Sequence, residues 1–242
     1  MSSGMPPYKV CYNPGMLIIA KQNQSAKSPY HGISGMKKAI RSGADIVHLT
    51  VRLTKDDRLV LADTPHANNN KTEPRLRALS LKELRRRTAG GERPITTLEE
   101  ALERLFGQVM LSIEVHERTA VEPLMKTFEP HLKQASSWDN LILASSNPLI
   151  LRKLRRKSDH AQLALIHSRH TPLAFIAWHP VLRLSAVMVH RLSVSKLVVE
   201  AAHKLDLLLC AYTVNRLKAV KRLTEFGVDA VITDRPESLI DT

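Results

Sequence analysis

Short runs rich in Leu, Ile and Val alternate along the whole chain with longer amphipathic stretches, and this alternation constrains the fold more than any other feature. It is the pattern of parallel βα units, in which each strand is followed by a helix that returns the chain to the start of the next strand. Eight runs predict strands: Met16 to Ala20, Asp45 to Thr50, Val109 to Val115, Leu141 to Ala144, Gln162 to Ile166, Leu184 to His190, Asp206 to Thr213 and Asp229 to Thr233. Helices are predicted over Gly35 to Arg41, Thr97 to Phe106, Thr119 to Lys133, Pro148 to Lys157, Pro172 to Trp178, Val194 to Lys204 and Arg216 to Phe226. Eight strands with seven helices between them predict the α/β class and a single (β/α)8 TIM barrel spanning residues 1–242.

One stretch departs from the alternation. Val51 to Asp63 reads as strand, the turn Thr54-Lys55-Asp56-Asp57, and strand again, which is a hairpin. A polar and basic insertion follows, from about residue 64 to residue 95, with a short helix predicted at Leu81 to Arg87. Because it follows the second strand, it belongs above the C-terminal mouth of the barrel, the face on which barrels carry their sites.

The chain has 242 residues, and 43% of them are apolar, which excludes disorder and leaves enough for one large core. Cys11 and Cys210 are far apart in a chain that needs no staple, so both are expected as free thiols in a reducing compartment. The apolar run Met16 to Ala20 is too short for a signal sequence or a membrane span. A cytoplasmic location is the expectation.

Six segments, in order, resemble those of the glycerophosphodiester phosphodiesterase family. They are Gly43-Ala44-Asp45, Leu53-Thr54-Lys55-Asp56, Leu79 to Leu84, Pro94 to Leu102, Tyr212-Thr213-Val214-Asn215 and Gly227 to Pro236. The resemblance runs from about Leu17 to Leu239 and implies a phosphoric diester hydrolase of lipid and glycerophosphodiester metabolism. In that family two histidines act as general acid and base, while three carboxylates hold a divalent ion such as Ca²⁺ or Mg²⁺.

The catalytic positions that the resemblance assigns are occupied differently here. Lys21-Gln22-Asn23 stands where the family has His-Arg-Gly, and Pro29-Tyr30-His31 stands for Pro-Glu-Asn. His48-Leu49-Thr50 replaces Glu-x-Asp, Asp63-Thr64 replaces His-Asp, and Glu114-Val115-His116 replaces Glu-x-Lys. Lys21 and Asp63 therefore sit at the places of the catalytic histidines, and Glu114 is the one family metal ligand retained. Each lost acid or base typically costs about 10²- to 10⁴-fold in rate, so the resemblance implies a barrel without the family reaction and without a cofactor. His48 and His116, with Asp63 and Glu114, are weak candidates for a transition metal such as Zn²⁺. A Lys21 to Glu114 ion pair is expected in place of the family's ion.

His190 ends the sixth predicted strand and Tyr212 lies near the end of the seventh, so both are candidates to line the mouth; Asn215 reads as the residue that opens the helix from Arg216. Charge supplies the remaining candidates. With 36 Lys and Arg against 23 Asp and Glu, the chain carries a net charge of +13. Arg152, Lys153, Arg155, Arg156 and Lys157 gather in one helix, where the dipole tolerates them, and Arg85, Arg86 and Arg87 lie in the insertion. A positive field at the mouth would gather a phosphate-bearing metabolite, another anionic ligand or an anionic membrane surface. Sequence-specific reading of nucleic acid is poorly supported, because aromatic residues make up only 4% of the chain. Three functions follow: an inactive binder of a phosphate-bearing partner, an active diester hydrolase with a relocated site, and a protein that docks on anionic surfaces or nucleic acid. Oligomeric state is left open.

Overall fold

The computed structural model describes residues 16–21, 32–67, 71–88, 95–167 and 170–240. Its strands are β1 Leu17–Lys21, β2 Ile46–Leu53, β3 Leu59–Leu61, β4 Met110–Val115, β5 Leu141–Ser145, β6 Gln162–Ile166, β7 Ala186–His190, β8 Leu208–Tyr212 and β9 Ala230–Thr233. Its α-helices are α1 Gly32–Arg41, α2 Leu81–Thr88, α3 Leu98–Leu105, α4 Val121–Phe128, α5 Pro148–Lys157, α6 Phe175–Leu182, α7 Lys196–Lys204, α8 Leu217–Glu225 and α9 Glu237–Ile240. Eight strands pair in parallel in the order β1-β2-β4-β5-β6-β7-β8-β9, and the β1 to β9 pairing closes the ring. The predicted (β/α)8 barrel is the observed one. The extra strand β3 runs antiparallel to β2, with Val51 opposite Leu61 and Leu53 opposite Leu59, which is the expected hairpin.

Side chains alternate between two cores, as the pleat requires. Ile19, Ile46, Ile142, Ala144, Ala164, Ala186, Met188, Cys210, Ala230 and Ile232 fill the inside of the barrel. Their neighbours, among them Ile18, Val47, Leu49, Ile113, Leu143, Val187, Leu209 and Val231, face the helices. The small residues Ala144, Ala164, Ala186 and Ala230 leave room inside for the bulkier Ile and Met side chains at other levels. Cys210 is a free thiol within that interior, and Cys11 lies outside the described residues.

Local signals start the helices. Thr97 accepts from the backbone N–H of Glu100 while the Glu100 carboxylate accepts from that of Thr97, a reciprocal cap on α3. Asn147 caps α5, and Pro148 occupies its first turn, where no N–H is needed. Two predicted details are corrected. The helix expected over Thr119 to Lys133 ends at Phe128, because Pro130 has no N–H with which to continue it. Asn215 does not cap α8; its Oδ1 accepts from Asp234 N and Thr233 Oγ1, which ties the end of β8 to the end of β9.

At the opposite end of the barrel two aspartates repeat one role. Asp45 accepts from the backbone N–H of Ile18 at 2.8 Å, and Asp229 accepts from that of Leu209 at 2.7 Å. Each joins the start of its own strand to the start of a neighbour. The insertion packs its own small core, Val60, Ala62, Ala67, Leu76, Leu79, Leu81 and Leu84, on the hairpin.

Candidate functional site

Strand parity assembles the mouth. Leu17 and Ile19 face the barrel interior, so Lys21, at the C-terminal end of β1, continues on that face. On β2 the same face carries Ile46, His48, Thr50 and Arg52, and on β4 it carries Met110, Ser112 and Glu114. Register then sets the levels, since Lys21 pairs with His48, His48 with Ser112 and Thr50 with Glu114.

Glu114 is the centre of this cluster. Its Oε2 lies 3.3 Å from His48 Nε2 and accepts from the Thr50 hydroxyl at 3.4 Å, while its Oε1 lies 3.2 Å from His116 Nε2. His48, buried within the barrel, is fixed from behind by a 2.9 Å hydrogen bond between Nδ1 and Ser112 Oγ. Burial alone would raise the Glu114 carboxyl, but the His48 hydrogen bond and charge, then His116 and Lys21, hold it down at about 2. For His116 burial dominates, and it lowers the imidazole against the pull of Glu114, with Arg52 adding to the depression.

The expected Lys21 to Glu114 pair takes a different form. Among the described residues both ion-pair contacts of Glu114 go to histidines, and Lys21 acts on it through space. The imidazoles come from β2 and from the residue after β4. His190 and Tyr212 meet edge to face at a centroid distance of 5.9 Å on the far wall. The Tyr212 hydroxyl donates to the backbone carbonyl of His167 and is pushed up by burial and, after it, by the charge of Glu114. Asp63 lies two residues past β3, half-buried and apart from the Glu114 ion pairs. On α2, Arg85 pairs with Glu100 of α3 at 2.7 Å and Arg87 with Glu73 at 3.5 Å, so this charge is spent sideways on neighbours; Arg86 is exposed beside them.

Arg52 is a mouth residue that sequence reasoning passed over. It shares the inward parity of His48 and Thr50, and its guanidinium pairs with Glu117 at 3.1 Å beside His116. Counting alternate residues from His48 would have found it.

These donors do not suit a hard divalent ion. Ca²⁺ or Mg²⁺ requires several oxygens, more than one of them anionic, and here one carboxylate with both oxygens engaged stands beside a hydroxyl and two imidazoles. Among the described residues no group of three or more His, Cys, Asp or Glu is arranged to hold a metal ion.

The model of the glycerophosphoryl diester phosphodiesterase family matches residues 24–238. The chain belongs to that family. A glycerophosphodiester phosphodiesterase of Caldanaerobacter subterraneus is 29% identical over 238 residues, covering 93% of this chain and 96% of the relative. The family fold is equally clear in solved structures. The Thermotoga maritima glycerophosphodiester phosphodiesterase superposes with a TM-score of 0.80 at 21% identity, over 95% of this chain and 99% of that one. An Oleispira antarctica phosphodiesterase in complex with the product sn-glycerol-3-phosphate also reaches 0.80, at 19% identity, over 94% and 98% of the two chains.

Proposed function

We propose that this member of the phosphodiesterase family binds a glycerol phosphate or related phosphate-bearing ligand at the barrel mouth and does not hydrolyse the diester. The observation that carries this reading is the engagement of both Glu114 oxygens by His48 and His116, with Thr50 where a second carboxylate would be needed. A carboxylate held this way is a poor metal ligand, and without the ion the phosphoryl oxygens have no Lewis acid to polarise them. Lys21 supplies positive charge for a phosphate, and Tyr212 and His190 supply an aromatic wall for its organic part. The product-bound Oleispira relative supports the choice of ligand class. A cytoplasmic location belongs to the same reading, supported by the free thiol of Cys210. Among the described residues no helix is long and apolar enough to cross a membrane.

The test pairs an assay with a titration. Choline release from glycerophosphocholine with Mg²⁺, Ca²⁺ or Mn²⁺ should not exceed the protein-free rate. Calorimetry with sn-glycerol 3-phosphate should show binding that Lys21→Ala weakens about tenfold, the loss of one charge-assisted hydrogen bond. Metal-dependent turnover abolished in Glu114→Ala would overturn the reading in favour of a hydrolytic site built on His48, Glu114 and His116.

A further inference from the structure

The strands run toward the mouth and the helices run back, so the first turn of each helix lies on the mouth rim. Six large apolar side chains are markedly exposed among the described residues, and four of them fall on this rim in consecutive βα units. They are Leu149 in the first turn of α5, Ile176 in the first turn of α6, Leu192 in the turn after β7, and Leu197 in the first turn of α7. Leu192 and Leu197 are each 61% exposed among the described residues, and with Leu149 and Ile176 they put four exposed aliphatic side chains on one arc of the rim. Exposed cations share the same arc: Arg152 on α5, Arg191 beside Leu192, and Arg216 before α8. The opposite end of the barrel is a concavity of about 1240 Å³ whose lining mixes Asp45, Asp139, Asp206 and Asp229 with His203 and apolar side chains, and the basic last turns of α1, α5 and α7 lie at that same end.

We propose that the rim formed by the starts of α5, α6 and α7 docks on an anionic lipid bilayer, with Leu192 and Leu197 entering the headgroup boundary and the arginines facing the lipid phosphates. Shallow apolar insertion combined with basic residues is the chemistry of peripheral binding to such a surface. This proposal stands apart from the ligand reading above, since it uses none of Lys21, Glu114, His190 or Tyr212.

Co-sedimentation of the full chain with phosphatidylcholine vesicles, with and without phosphatidylglycerol, is the test. Binding should appear with the anionic vesicles, fall as salt is raised, and fall at least tenfold in the variant Leu192→Ser, Leu197→Ser, whose melting temperature stays that of the unsubstituted chain. Three outcomes overturn the proposal. One is absence of binding to anionic vesicles. Another is equal binding by the double variant, which would mean charge attraction alone. The third is a dimer in sedimentation equilibrium that the double substitution dissolves, which would assign the patch to a second copy of the chain.

Discussion

Thr50 and Glu114 stand opposite each other on the paired strands β2 and β4, and the hydroxyl of the first donates to the carboxylate of the second. A hydroxyl thus stands at that position in place of a second carboxylate. In Thr50→Asp two carboxylates would face one another at hydrogen-bonding range, destabilising the chain by about 2 kcal/mol. The same change supplies a second anionic oxygen donor, so added Ca²⁺ should raise the melting temperature of Thr50→Asp and leave that of the unsubstituted chain where it was. Melting curves with and without Ca²⁺ decide the matter, and identical curves for the variant would refute it.

Acid should destabilise the fold in two windows. His167 is buried beside Phe175 with an unpartnered Nε2, and burial pushes it down to about 4 from an ordinary 6.5. The unfolded chain therefore takes up this proton at higher pH than the folded one, and stability is lost as pH falls from about 6.5 toward 4, by at most about 3 kcal/mol. Glu114, held at about 2, contributes stability that is present above 4.5 and disappears as pH falls toward 2. Denaturant midpoints measured across these ranges should show both losses, and His167→Leu should flatten only the upper one.

Arg155 is a structural clamp rather than part of a basic surface. Its guanidinium donates to the carbonyls of Leu182, Ser158, Asp159, Ala161 and Arg183, tying the α5 to β6 turn to the α6 to β7 turn. Lysine cannot reproduce that planar fork. Arg155→Lys should therefore cost about 2 kcal/mol or more, close to the cost of Arg155→Gln. If the lysine variant unfolds at the same urea concentration as the unsubstituted chain, the clamp contributes nothing.

The arginines of α2 should behave differently. Arg85 and Arg87 are about half exposed in their ion pairs, so solvent screens them. Replacing Arg85, Arg86 and Arg87 together with Gln should change stability by less than about 1 kcal/mol. Because two of the three charges are already engaged sideways, calorimetry should find the affinity for sn-glycerol 3-phosphate unchanged as well, and a marked loss would return these residues to the site.

The barrel was legible because each strand carries a compact apolar run that periodicity detects, and the hairpin because Thr54 to Asp57 interrupts one of them. Lys21, His48, Glu114, His116, His190 and Tyr212 were legible as mouth residues because strand ends are. Their partners were not. Choosing His48 and His116 over Lys21 for Glu114 depends on the stagger between strands, a distance of one or two residues that no single run of sequence fixes. Arg155 looked like one cation among five because its carbonyl partners come from turns up to 28 residues away.

Asp45 and Asp229 hold strand starts in step from the end of the barrel remote from the mouth. Alignment and recognition thus rest on separate sets of atoms. Substitutions around Glu114 therefore leave these strand-start contacts untouched, and the stagger of the barrel does not depend on which acids and bases stand at its mouth.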